Sequence, residues 1–135
     1  MTSAVASETV AGRLAAHGFD ALDDSTLTRA LYSTDASLYR VAPEGVAHPR
    51  SIAELAAVVD AARAAGVPLT TRGAGTSCAG NAVGPGVVVD VARHLTRIHT
   101  VDPEARLAVV EPGVVQDTLT RAALPHGLRF GPDPS

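Results

Sequence analysis

Lysine is absent from the 135-residue chain, and all eleven of its basic side chains are arginine. A P-loop is therefore excluded, because its lysine must reach the terminal phosphates of a nucleotide. The arginines are scattered and the net charge is −3, which leaves no concentrated positive surface for a nucleic-acid backbone. Tryptophan is also missing, and two Phe and two Tyr are too few for a base-stacking platform. The single cysteine, Cys78, excludes an internal disulfide framework and any cysteine-rich metal or iron–sulfur site within these residues. A reducing cytoplasm is the compartment this composition predicts. No apolar run approaches the ~18 residues of a membrane span. Met1–Val5 lacks the basic stretch and apolar block of a secretion signal. What remains is 46% apolar and 19% charged residues, ordinary values for one globular domain with its own core.

Residues 1–40 read as a helical preamble. Val10 and Leu14 repeat at helical spacing, Gly18 supplies a stop, and Asp24 or Ser25 can cap a second helix that runs to about Leu31. Tyr32–Ser37 is polar and predicted to be irregular. From Val46 the pattern changes to strands alternating with helices. Val46–His48 is a short strand closed by Pro49. Ser51 and Glu54 form a capping box in which each side chain serves the other's free backbone N–H. Ile52, Leu55, Val59 and Ala62 make the stripe of a helix over 51–65 that ends at Gly66. Pro68–Arg72 reads as a strand with proline at its first residue, and Val87–Asp90 as a strand buried on both faces. Residues 98–101 and 106–110 flank the turn Asp102–Ala105 as a hairpin. Val115, Leu119, Ala122 and Ala123 mark a second amphipathic helix over 114–124, closed by Pro125 and Gly127. The expected class is α+β: a small mixed sheet with both of these helices packed against it.

Between the two strands lies a loop, Gly73 to Gly86, with five glycines. Its informative part is Arg72-Gly73-Ala74-Gly75-Thr76-Ser77-Cys78-Ala79-Gly80-Asn81. Glycines let a ligand approach the main chain, and successive N–H groups in such a turn form a concave nest suited to phosphate. Thr76 and Ser77 add hydroxyl donors. The alternative is a plain surface turn, but glycine spacing, two hydroxyls and strand context together favour phosphate. Gly73, Gly75 and Gly80 do not match the G-x-G-x-x-G fingerprint, and Asn81–Gly86 cannot form the helix that fingerprint requires. A phosphate here must be held by loop amides, not by a helix end.

These residues, followed by Gly86–Asp90, Ile98, Asp102-Pro103, Val110–Val114 and Leu128–Ser135, resemble the FAD-binding domain of the vanillyl-alcohol oxidase and p-cresol methylhydroxylase superfamily. The match covers about two thirds of the chain in the correct order. Tyr32–Arg40 and His48–Ser51 are most similar to the glycolate oxidase and D-lactate dehydrogenase branch, including large bacterial proteins that fuse this domain to an iron–sulfur region. The resemblance implies the first subdomain of a p-cresol methylhydroxylase-type fold. It implies an N-terminal extension over 1–40 and the first part of an FAD-binding domain over 41–135, truncated at its C-terminus. Arg72, Gly73, Ala74, Gly75, Thr76, Ser77, Gly80 and Asn81 would wrap the FAD pyrophosphate, and Pro132, Asp133, Pro134 and Ser135 would begin a second cofactor-contacting segment. Thr76 stands where covalent members carry a histidine, so non-covalent FAD is expected. Cys78 is expected to be a small buried thiol.

The implied full-length activity is oxidation of a D-2-hydroxy acid (D-lactate, glycolate or D-2-hydroxyglutarate type) by hydride transfer to flavin N5. No catalytic residue and no metal ligand is assigned in this chain, and this part alone is expected to be inactive. His17, His48, His94, His99 and His126 lack metal-ligand spacing and read as structural or solvated. Ser77 does not sit in a G-x-S-x-G elbow. Arg72 can neutralise pyrophosphate or pair with an internal acid, and Asp133 can face the cofactor or simply turn the chain. The rival readings are a sugar or alcohol oxidase of the same superfamily, a non-enzymatic phosphate-binding module, and a fragment that binds no cofactor alone. An iron–sulfur cluster would belong to a later region, and the full-length protein would be cytoplasmic or peripheral to the membrane.

Overall fold

In the computed structural model, which describes residues 9–132, helix α1 (Val10–Ala15) leads into a two-residue strand β1 (Leu22–Asp23) and helix α2 (Thr26–Leu31). Strand β2 (Gly45–Ala47), helix α3 (Ile52–Ala65), and strands β3 (Leu69–Arg72) and β4 (Val87–Asp90) follow. The chain ends in strands β5 (Ile98–Asp102) and β6 (Leu107–Val110) and helix α4 (Gln116–Ala123), with a 3-10 turn over Leu124–His126.

Four strands form one sheet in the order β1-β2-β4-β3, with β2 and β3 parallel to β4 and β1 antiparallel to β2. The sheet is mixed, as expected. β4 is central and buried throughout, which explains its uninterrupted β-branched run. Burying each of its three valines contributes about 1.5–3 kcal/mol. Val87 and Val89 face a core that includes Ala47 of β2 and Val58, Ala61 and Ala62 of α3. Leu14 of α1 is fully buried in the same core, and the Arg13 guanidinium donates to the Ala65 carbonyl at the end of α3. Residues 9–40 are thus not only helical. They add an edge strand and core side chains that the sequence pattern did not reveal.

The buried face of α3 differs from the expected stripe. Ile52 and Val59 are 53% and 44% exposed, whereas Val58, Ala61 and Ala62 are buried and Leu55 and Ala65 are half-buried. Two stripes at spacing 3, 4 and 3 run through this helix, and both contain Leu55 and Ala62. The one made with Val58 and Ala65 wins because its small residues let the helix lie close on the sheet and on α1. The cap also differs in one half. Ser51 Oγ accepts from Glu54 N–H at 3.1 Å, but Glu54 Oε2 accepts from Arg50 N–H at 2.7 Å, not from Ser51. Gly66 ends the helix with φ of 64°.

Parallel neighbours need a crossover, and between β3 and β4 the glycine loop itself is that crossover. It leaves the carboxyl end of β3 and returns to the amino end of β4. Ala82, Val83, Gly84 and Gly86 are buried on the return leg. A Cβ on Gly86 would stand 2.1 Å from the Pro68 carbonyl oxygen, so only glycine permits this close approach. Strands β5 and β6 form a separate antiparallel pair. Helix α4 packs on β5 and not on the four-stranded sheet, contrary to expectation. The amphipathic pattern of α4 specified an apolar partner without saying which sheet supplies it.

Candidate functional site

Residues 73–81 sit at the carboxyl end of the parallel strands, the edge where ligands of open α/β sheets bind. The main-chain N–H groups of Gly73 through Cys78 donate to no acceptor among the described residues. Gly73, Ala74, Thr76 and Cys78 are exposed, and Gly75 and Ser77 are half-buried. Further along, Ser77 Oγ accepts from the N–H groups of Ala79 at 3.3 Å and Asn81 at 3.0 Å. Gly75 has φ of 72°. A run of donors with no protein partner, on exposed backbone in a glycine-containing turn, is open to an oxyanion ligand.

The loop is held from the segment before β2. The carbonyl of Gly75 accepts from Ala36 N–H at 3.0 Å, and Asp35 Oδ2 accepts from Ala82 N–H at 3.2 Å. Arg72 Nη1 donates to the carbonyls of Thr34 at 2.8 Å and Ala82 at 3.3 Å. Among the described residues Arg72 therefore pairs with no acid, and its bonds go to carbonyl oxygens. The Tyr39 ring lies against Gly80, where a Cβ would stand 2.6 Å from its Cδ2. Hydrogen bonds to Ser37, the hydroxyl first, hold the Asp35 carboxyl below its ordinary range.

Beneath the loop, the Tyr32 hydroxyl donates to Asp90 Oδ2, and the Arg72 guanidinium carbon lies 5.1 Å from the Tyr32 ring centroid. Burial, and then the bond to Asp90, push the Tyr32 phenol up to about 12, so it remains a proton donor at neutral pH. Asp90 Oδ1 accepts from the N–H groups of Ala92 at 2.8 Å and Arg93 at 3.2 Å. His48 meets Tyr32 edge-on with centroids 5.6 Å apart, and its Nδ1 is buried without a partner among the described residues, 3.8 Å from Asp90 Oδ2. That distance exceeds a hydrogen bond. Burial lowers the His48 pKa, so its ring is neutral at pH 7. His48 also lines a cavity of about 390 Å³ with Arg50, Glu54, Arg93 and His94, none of which belongs to the loop.

The second predicted segment is only partly described. Pro132 is exposed and its carbonyl accepts from the Gln116 side chain, beside the start of α4. Asp133, Pro134 and Ser135 lie outside the described residues. Cys78 is exposed, not buried as expected, because it lies on the outer part of the loop before the chain turns back along β3. Tyr32, Asp35, Tyr39 and Asp90 join the site without being among the site residues the sequence predicts. A usable signal was present in Asp35-Ala36-Ser37, whose acid folds back on the N–H of Ser37 at 2.9 Å.

Residues 43–135 match the family model described as FAD binding domain. The chain belongs to that family. It is 38% identical over 108 residues to the D-2-hydroxyglutarate dehydrogenase of Escherichia coli, which is 78% of this chain and 11% of that protein. It is 35% identical over 120 residues to glycolate oxidase subunit GlcD of Bacillus subtilis, 87% of this chain and 26% of that protein. The chain therefore spans a small part of the relatives it matches. Alkyldihydroxyacetonephosphate synthase shares the fold with a TM-score of 0.71 at 23% identity, over 85% of this chain and 24% of that one. p-Cresol methylhydroxylase does so with a TM-score of 0.62 at 18% identity, over 88% and 24%. The fold is the p-cresol methylhydroxylase type, and the chain is an FAD-binding domain of the kind found in flavin oxidoreductases.

Proposed function

We propose that the loop Arg72–Asn81 holds the pyrophosphate of non-covalently bound FAD, in a protein whose full length oxidises a D-2-hydroxy acid. The carrying observation is the run of unclaimed amides from Gly73 to Cys78 at the carboxyl edge of the sheet. Two phosphates offer many acceptor oxygens and two negative charges. Exposed N–H groups on a glycine-rich turn answer both without a lysine or a helix end. The residues present fit the cofactor: Gly73 has nothing within 4 Å of where a Cβ would be, and Thr76 cannot bond the flavin as a histidine would. On this reading residues 41–135 are the first part of the FAD-binding domain, residues 1–40 are an extension, and Pro132–Ser135 open a second contact segment.

When bound, FAD supplies a hydride acceptor. The chain's own part is to bind and orient: loop amides fix the diphosphate, and the hydroxyls of Thr76 and Ser77 stand within the same turn. No proton-transfer group is assigned here. The D-2-hydroxy acid reading draws on relatives named D-2-hydroxyglutarate dehydrogenase and glycolate oxidase subunit. Full-length protein should purify yellow and lose its flavin absorbance when mixed anaerobically with the D-enantiomer of such an acid. Protein that is colourless and takes up no added FAD would sink the flavin reading. Yellow protein bleached by a sugar or alcohol, and not by any 2-hydroxy acid, would sink the substrate class alone.

A further inference from the structure

We propose that Tyr32–Tyr39 is a positioning strap that holds the glycine loop in its ligand-binding shape before the ligand arrives; this inference rests on the flavin reading above. The strap touches the loop at four places along its length. The Thr34 carbonyl accepts from the Arg72 guanidinium at the base (2.8 Å), Ala36 N–H donates to the Gly75 carbonyl at the first bend (3.0 Å), Tyr39 lies against Gly80, and Asp35 Oδ2 accepts from the Ala82 N–H at the exit (3.2 Å). At the first bend it grips a carbonyl oxygen of the loop, and among the loop amides it claims only that of Ala82. The donors of Gly73 through Cys78 are left for a ligand.

The strap is itself stitched. Ser37 N–H donates to Asp35 Oδ1 at 2.9 Å, Tyr39 N–H to Ser37 Oγ at 3.1 Å, and Val41 N–H to the Ser33 carbonyl at 2.8 Å. Its lower end is fixed by Tyr32, which carries the Arg72 guanidinium on its face and bonds Asp90 at the end of β4. A glycine-rich loop with open amides would otherwise sample many shapes, most of which misplace its donors. Ordering it in advance removes that cost from binding. The carboxylate of Asp35 is compatible with an anion nearby, since the Ser37 and Ala82 amides satisfy it and Arg72 adds an attractive charge.

The test uses the full-length protein and its Asp35→Ala, Asp35→Asn and Tyr39→Ala variants. FAD affinity of the apo-protein is measured by titration, and hydrogen exchange of apo amides 73–82 and of β4 in parallel. Loss of the Asp35 bonds should weaken FAD about tenfold, since a hydrogen bond to a charged group amounts to that order. Asp35→Asn keeps one acceptor oxygen and should recover about half of that effect on a logarithmic scale. Exchange should rise in 73–82 and stay constant in β4. Wild-type protein that binds FAD, with Asp35→Ala and Tyr39→Ala binding it equally well, overturns the strap. Wild-type protein that binds no FAD overturns the flavin reading instead, and the strap is then judged by exchange alone. Unchanged loop exchange in both alanine variants overturns it. If Asp35→Ala unfolds and exchanges everywhere, Tyr39→Ala decides by the same two measurements.

Discussion

Arg72 and Tyr32 are stacked, with the guanidinium carbon 5.1 Å from the ring centroid, and the same guanidinium reaches the carbonyls of Thr34 and Ala82. One side chain thereby joins the ends of β3 and α2 to the return leg of the glycine loop. Arg72→Lys keeps the charge and loses the planar fork, so it cannot stack and serve two carbonyls together. The loss of a partly exposed cation–π contact and one or two hydrogen bonds should lower stability by about 1–2 kcal/mol in urea unfolding. A lysine variant as stable as the wild type would show that the stack contributes nothing.

At Gly75 the φ of 72° is strained for any side chain, and a Cβ would lie 2.5 Å from Arg72 Nη2. Gly75→Val in the full-length protein should both bend the loop and displace the guanidinium that pins it. The expected result is folded protein purified without flavin. Wild-type FAD affinity in that variant would contradict the role given to the loop.

His48 offers a pH signature. Burial is the main reason its folded pKa lies below the ordinary value, helped by Arg93 and His94 and opposed by Asp90 and Asp23. The unfolded chain therefore binds more protons than the folded one below about pH 6.5. Stability from this group is complete above that pH and is lost as pH falls through the folded pKa. His48→Gln should flatten the stability profile in that window, and Tyr32→Phe, which releases Asp90 Oδ2, should raise the His48 pKa seen by NMR. A His48 resonance that titrates at the ordinary value would refute the assignment.

Much of this architecture is legible in the sequence. The glycine stops at Gly18, Gly66 and Gly127, a cap at Asp24 or Ser25 that the structure assigns to Ser25, and the valine run of β4 are legible because each is a local signal with one physical cause. The glycine loop was legible for the same reason. What the sequence hid depends on partners distant in the chain. Which of two overlapping stripes α3 buries is decided by α1 and the sheet, and β1, two residues long, exists only because β2 is there to pair with it. The strap was hidden because Asp35 and Ala36 acquire their role from residues about forty positions later.

Leu14 tests whether the N-terminal residues belong to the core. It is fully buried, and Leu14→Ala should lower stability by about 2–5 kcal/mol through lost transfer energy and a residual cavity. An unchanged urea midpoint would show that α1 is dispensable to the core.

The order β1-β2-β4-β3 has a kinetic meaning as well. The central strand is the last of the four along the chain, and it can pair with β3 only once the loop that presents the amides has closed. Assembly of the sheet therefore waits on closure of that turn, whose entropic cost rises with its length. Glycines inserted into its exposed stretch should slow refolding more than they hasten unfolding, which stopped-flow kinetics can separate. The loop that offers its donors to a ligand is also the connection whose closure brings the middle strand of the sheet to its neighbour.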